Sequence, residues 1–329
     1  IMAALGFYFI LSVACALATG FTQMLVLRGL QGMLASSLSV IPAAIIRDRY
    51  EGDRMARLMS LISAVFITVP ILAPSLGQLI LLVAHWRWIF VVLALASFSI
   101  GVWFWRRMPE TLHPEFRQPI VLRPLVGHMW KAVSTRASFG YVLSTALVMS
   151  GIFGYLNSAQ QLIGEHFGAG NYFALIFGIC AASMILSNIV NARIVERFGA
   201  RRVSHTGLLV FIAVSAAQVW FAFGEWQSLV WFMPLIAMNM ALLGFLGANF
   251  SSIAMQPFAE AAGAASSAQN FIRLLGGALL GMLIGQAYDG TSRTIALALL
   301  ASGIGALLLI LFSEKGRLFP RLNPPRRLR

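Results

Sequence analysis

The sequence predicts an all-α polytopic membrane protein made of two pseudo-symmetric helical halves, and three observations predict it. Of its 329 residues, 59% are hydrophobic and only 11% charged, with a mean hydropathy of +0.82, too apolar for the surface of a soluble globule. Apolar runs of about 20 residues recur along the chain, the length at which a helix crosses a hydrocarbon core of roughly 30 Å and too long for barrel strands. The net charge of +13 is confined to short connections, where a membrane protein places basic residues to set its topology. That location argues against nucleic acid as a partner.

Taken in order, the candidate spans are 1–20, 23–47, 57–82, 86–105, 138–161, 171–193, 203–224, 228–251, 262–287 and 291–312. The first has no basic leader and is followed by more spans, so it reads as a span and not a signal peptide. The fourth ends on Trp103, Phe104 and Trp105, an interfacial aromatic belt. Between 106 and 137, Pro109, Pro114, Pro119 and Pro124 interrupt scattered charge, which reads as a linker. The expected organisation is a truncated half over 1–105, a cytoplasmic linker over 106–137, a six-span half over 138–312 and a basic tail over 313–329. Cys15 and Cys180 lie inside apolar runs without metal-ligand spacing and read as small buried hydrophobes.

Charge placement supports this division. All but four of the 24 Lys and Arg residues fall on one side of the alternating topology; Arg87 and Arg293 fall on the other, and Arg28 and Arg273 lie inside spans. By the positive-inside rule the rich side is cytoplasmic and both chain ends are there. Sliding the second half back by about 204 residues superposes its last four spans on the first four, leaving those at 138 and 171 without counterparts. The expectation is that two spans precede Ile1.

Several motifs carry a resemblance. The second span holds Arg28, Gln31 and Gly32 in an RxxQG pattern; the third holds Pro70, Pro74 and Gly77 in VPILAPSLGQ; HWRWIF follows at 85–90 and PETL at 109–112; and ERFGARR runs from Glu196 to Arg202. In this order and spacing they resemble the major facilitator superfamily, and within it drug and proton antiporters of the bicyclomycin resistance type. VPILAPSLGQ is similar to the family's GPxxGG antiporter motif, with Ala73 and Gln78 for two glycines. ERFGARR is similar to its second-half GxLaDRxGRR loop, with Ala192 for Gly, Glu196 for Asp and Ala200 for Arg, and with Arg197, Gly199 and Arg201 on the motif. The resemblance implies helices three to twelve of a twelve-helix protein, with the Glu196–Arg201 loop in cytoplasmic gating.

The polar residues inside spans are the site candidates. Arg28 is costly in hydrocarbon, so it snorkels to the surface or serves a wet or paired site; the resemblance favours a part in proton coupling, with Gln31 and Gly32. Pro70, Pro74 and Gly77 share a helix face suited to a kinked, closely packed interface. Gln269 and Arg273 continue into Gly277, Gly281 and Gly285 at four-residue spacing, the glycines for close packing and the polar pair for lining a cavity or bonding between helices. Asn157 and Gln161 extend a stripe from Ser150 and Gly154 and are further cavity candidates; Ser183, Ser187 and Asn191, with Asn239 and Asn249, form similar polar sets. The five dispersed histidines read as surface residues.

No Asp or Glu lies deep in the ten spans, and no hydrolase, nucleotide or metal motif is present. An enzyme is disfavoured, and neither cofactor nor metal is expected. The resemblance places the coupling acid in the family's first helix, so Arg28 is expected to face an acid from outside this chain, and the ten spans alone not to couple transport to protons. The reading is a monomeric secondary transporter of the bacterial inner membrane, exporting small amphipathic compounds against protons. A metabolite symporter or uniporter, or a non-transporting membrane relic or scaffold, are the alternatives.

Overall fold

The computed structural model describes residues 2–49, 58, 69, 72, 73, 76–108, 127, 130, 131, 134–224 and 228–319. They form helices: α1 (Met2–Leu17), α2 (Phe21–Arg49), α3 (Arg87–Arg107), α4 (Arg136–Gln161), α5 (Phe173–Phe198), α6 (Ala200–Phe223), α7 (Leu229–Met255), α8 (Ala262–Gln286) and α9 (Arg293–Ser313). Among the described residues seven helical segments are long and apolar enough to cross a membrane, with window hydropathies from 1.3 to 2.7, and α1 is a shorter apolar helix. Most of the expected third span lies outside the described residues, including Pro70 and Pro74; residues 76–83 are helical.

The chain divides into two compact units, Ile1–Pro119 and Ile120–Arg329. In the first, α1 packs on α2 and α3, with Phe9 and Phe98 in ring contact at 5.6 Å between centroids. In the second, α4 is the central helix, against α7, α8 and α9, while α7 also packs on α5 and α6. Its core gathers Tyr141, Phe211, Leu243, Leu246, Phe250 and Leu299, all buried. Large apolar side chains such as Leu186, Trp220 and Leu308 point outward, as expected where lipid and not water covers the surface.

The α4–α8 contact is made by small residues. A Cβ added to Gly281 would come within 3.0 Å of the Gly154 nitrogen, one added to Gly285 within 2.9 Å of the Asn157 Cβ, and one added to Gly154 within 2.9 Å of Ile284. The glycine stripe therefore brings backbones together, the arrangement that drives helix association where no hydrophobic effect operates between spans.

One contact recurs in both units. Arg87, opening α3, donates from Nη2 to the Ala18 carbonyl just past α1 at 3.0 Å and stacks on Trp86. Arg293, opening α9, donates from Nε to the Ala222 carbonyl in the last turn of α6 at 3.2 Å and stacks on Phe223. Each guanidinium donates to a carbonyl at a helix end, where a positive charge is favoured. The two arginines on the basic-poor side thus have a local structural duty, and it repeats at nearly the spacing of the sequence repeat.

Candidate functional site

Three polar constructions interrupt these apolar helices. In the first unit, the three-residue spacing of Arg28 and Gln31 puts them one turn apart on the same face of α2. Arg28 Nη1 donates to Gln31 Oε1 at 2.9 Å. Gln31, 1% exposed, donates from Nε2 to Ser12 Oγ of α1 at 2.7 Å, and Ser12 donates to the Tyr8 carbonyl at 2.8 Å. Cys15 Sγ lies 3.8 Å from the same Gln31 oxygen. The Arg28 guanidinium carbon also sits 5.9 Å from the centre of the Phe90 ring of α3. Gln31 is therefore a connector with the charge on one end and α1 on the other. Among the described residues, Gly32 and Gly77 have open space where a Cβ would stand.

In the second unit, a cavity of about 110 Å³ opens between α4, α7 and α8, with Thr145, Ser251, Gln269, Asn270 and Arg273 on its polar side. Gln269 is buried, its Nε2 committed to Ser138 Oγ at 3.2 Å and the Ala254 carbonyl at 3.1 Å. Arg273 is different. Its Nε is buried without a hydrogen-bond partner, and the ion pair found among the described residues is elsewhere. Asn157 and Gln161 do not line this cavity; both are exposed further along α4, Asn157 beside Gly285.

The third construction lies at the basic end of the second unit. Gly199 joins α5 to α6 at φ 85°, a conformation open to glycine and strained for other residues, and its N–H closes α5 on the Val195 carbonyl at 2.8 Å. Two residues on, Arg201 Nε pairs with Glu314 at 2.7 Å, while its Nη1 donates to Gln256 Oε1 at 2.6 Å. Glu314 also accepts from the Tyr141 hydroxyl at 2.8 Å, and that hydroxyl lies 2.9 Å from His205 Nε2. Because the Phe319 N–H donates to His205 Nδ1 at 3.0 Å, Nδ1 is the acceptor nitrogen and Nε2 carries the proton. The beginnings of α4 and α6, the residue after α7 and the segment after α9 are thereby tied together. Glu196 and Arg197 are exposed on the last turn of α5.

His205 corrects the expectation that the histidines are surface residues: it is 1% exposed, packed against Tyr141 and Phe319. Glu314, Tyr141 and Gln256 had drawn no attention in the sequence, since their partners lie far along the chain. The remaining polar pairs join helices. Ser183 and Ser187 donate to the Ala237 and Ala241 carbonyls of α7, Asn249 donates to Asn191 at 2.8 Å, and Asn239 bridges Gln218 and Ser215 of α6. Cys15 and Cys180 are both buried and free.

Span-length apolar helices, close glycine packing and polar groups held among them define a multi-pass membrane protein. The chain belongs to the Major Facilitator Superfamily, whose model matches residues 1–281; this is a family of transporters and not of enzymes. Among its relatives, the MFS-type transporter YdgK of Bacillus subtilis is 29% identical, over 83% of this chain and 69% of that protein. A bicyclomycin resistance protein homolog of Haemophilus influenzae is 28% identical, over 78% of this chain and 65% of its own length. The multidrug resistance protein MdtL of Escherichia coli is 27% identical, over 94% and 77%. The chain thus spans about two thirds to three quarters of the length of these relatives. The fold is similar to that of a bacterial homolog of the human lysosomal transporter Spinster, with a TM-score of 0.68 at 14% identity, over 97% of this chain and 84% of that one.

Proposed function

We propose that this chain belongs to a proton-coupled exporter of small amphipathic compounds, which works by alternating access in the bacterial inner membrane with both chain ends in the cytoplasm and draws its coupling acid from outside these ten spans. The observation that carries the reading is the Arg28–Gln31–Ser12 chain of hydrogen bonds. A guanidinium inside a span is expensive to keep and marks function where it persists. Here its charge is linked through one buried amide to the neighbouring helix. A proton arriving on or leaving a carboxylate facing Arg28 changes how strongly the guanidinium is drawn from Gln31, and so changes the α1–α2 contact. Pro70 and Pro74 belong to the same proposal as the bending part of this half, with Gly32 and Gly77 as positions that leave room for a neighbour to approach.

The names of two relatives, a bicyclomycin resistance homolog and a multidrug resistance protein, support drugs as the substrate class. The mixed polar and apolar wall of the second-unit cavity suits an amphipathic compound and puts Gln269 and Arg273 in contact with it, with Asn157 and Gln161 further along the route. The Glu196–Arg201 loop acts in gating at the cytoplasmic end, where Arg201 ties helix ends together.

The test is dye transport in everted membrane vesicles from cells producing the complete reading frame. Energised vesicles should accumulate a fluorescent amphipathic acid such as fluorescein, release it when a protonophore collapses the pH gradient, and lose the gradient-driven part in Arg28→Gln. Accumulation indifferent to the gradient would point to a uniporter. Proton-driven movement in the opposite direction would indicate a symporter, and no flux at all a scaffold.

A further inference from the structure

Arg273 is the charged group that the fold leaves unanswered. In α8 it lies eight residues from Ala265, where the span begins, or roughly 12 Å into the helix at 1.5 Å per residue. Arginine at such depth costs on the order of 2.5–3.5 kcal/mol on insertion scales, and structures that keep one pair it or expose it to a wet cavity. Arg28 follows this rule with Gln31, and Arg201 with Glu314 and Gln256. Arg273 takes the other course: among the described residues its Nε is buried and unpartnered, and the half-buried side chain lines a cavity. The hydroxyls and amides beside it, on Thr145, Ser251, Gln269 and Asn270, bring no negative charge to the cavity.

An orphan guanidinium in a cavity calls for a planar anion. Arginine offers donors in a rigid fork that fits both oxygens of a carboxylate, and the surrounding hydroxyl and amide groups can complete a carboxylate's remaining hydrogen bonds. The opposite wall is apolar, with Val142, Ala254 and Met255, and the volume of about 110 Å³ is that of a small aromatic or branched acid. We infer that the α4–α7–α8 cavity binds the carboxylate of a small amphipathic organic acid on Arg273, with the acid's apolar body against Val142 and Met255. The inference deepens the export reading by naming its substrate class. It rests on that reading for transport, but not for binding.

The test uses the protein produced from the complete reading frame and purified in detergent, with equilibrium binding of radiolabelled benzoate and, as competitor, the near-isosteric neutral benzamide. Saturable benzoate binding is expected, with benzamide at least about tenfold weaker, since a hydrogen bond to a charged group contributes enough for a tenfold or larger change in affinity. Arg273→Gln should lose at least about tenfold in benzoate affinity and nothing in benzamide affinity, and Arg273→Lys should recover part of the loss, as a point charge without the fork. Each variant's thermal unfolding and elution profile report whether it folds. The comparison of benzoate with benzamide on the unaltered chain decides the matter even if both variants fail to fold. Equal affinity for the acid and the amide, no benzoate binding, or full benzoate affinity in Arg273→Gln would overturn the assignment. Benzoate binding without proton-driven flux would sink the coupling proposal and leave this one standing; dye export without benzoate binding would do the reverse.

Discussion

Gln31 turns a sequence spacing into a contact. Its three-residue offset from Arg28 puts both side chains on one face of α2, and its burial against Ser12 extends that local pair to a second helix. Replacing it with leucine removes the Arg28 acceptor and the donor to α1 together. Gln31→Leu should therefore lower stability by about 1–3 kcal/mol, the cost of polar groups left without partners in a low-dielectric setting. Thermal unfolding in detergent checks this, and a variant as stable as the parent would show that the connector is idle. Gly199 is legible at the same scale, because its φ of 85° is a property of one residue between two helices. His205 was not legible. Nothing adjacent to it announces that a backbone N–H at Phe319 and a hydroxyl at Tyr141 will meet its two nitrogens.

Among the helices, small residues are the organising chemistry. Gly277, Gly281 and Gly285 repeat at four-residue intervals, so they fall on one face of α8, and the structure sets that face against Met149, Phe153 and Asn157 of α4. Gly281→Leu adds a side chain where the Gly154 backbone nitrogen is already 3.0 Å from a bare Cβ. The helices must part, and overpacking of this kind typically costs about 1–3 kcal/mol. A lowered midpoint in thermal unfolding is expected, together with faster proteolysis; an unchanged midpoint would mean that the α4–α8 contact is loose in the membrane. Helix periodicity made the stripe readable. It could not say which neighbour the stripe would meet, nor that Gln269 at its head would be committed to Ser138 and Ala254 while Arg273, one turn on, would open to a cavity.

At the scale of the whole molecule, topology follows from where charge can afford to be. The two arginines opposite the basic side stack on aromatic rings and cap helix-end carbonyls, Arg87 on Ala18 and Arg293 on Ala222, which explains why they are kept there. Orientation is checked with single cysteines in a Cys15→Ser, Cys180→Ser background: Lys315→Cys should react with an impermeant maleimide only from the cytoplasmic face, and Thr291→Cys only from the outer face. The reverse pattern would invert the assignment. Sequence alone determined the membrane as solvent and nearly all the helices, because each depends on local composition summed over about 20 residues against a fixed hydrocarbon thickness. Only the tertiary structure decided which polar groups answer one another. Arg201 meets Glu314 across 113 positions, Gln269 meets Ser138 across 131, and Arg273 meets no acid among the described residues. Such pairings depend on how helices cross in space, and a linear pattern of residues carries no record of those distances.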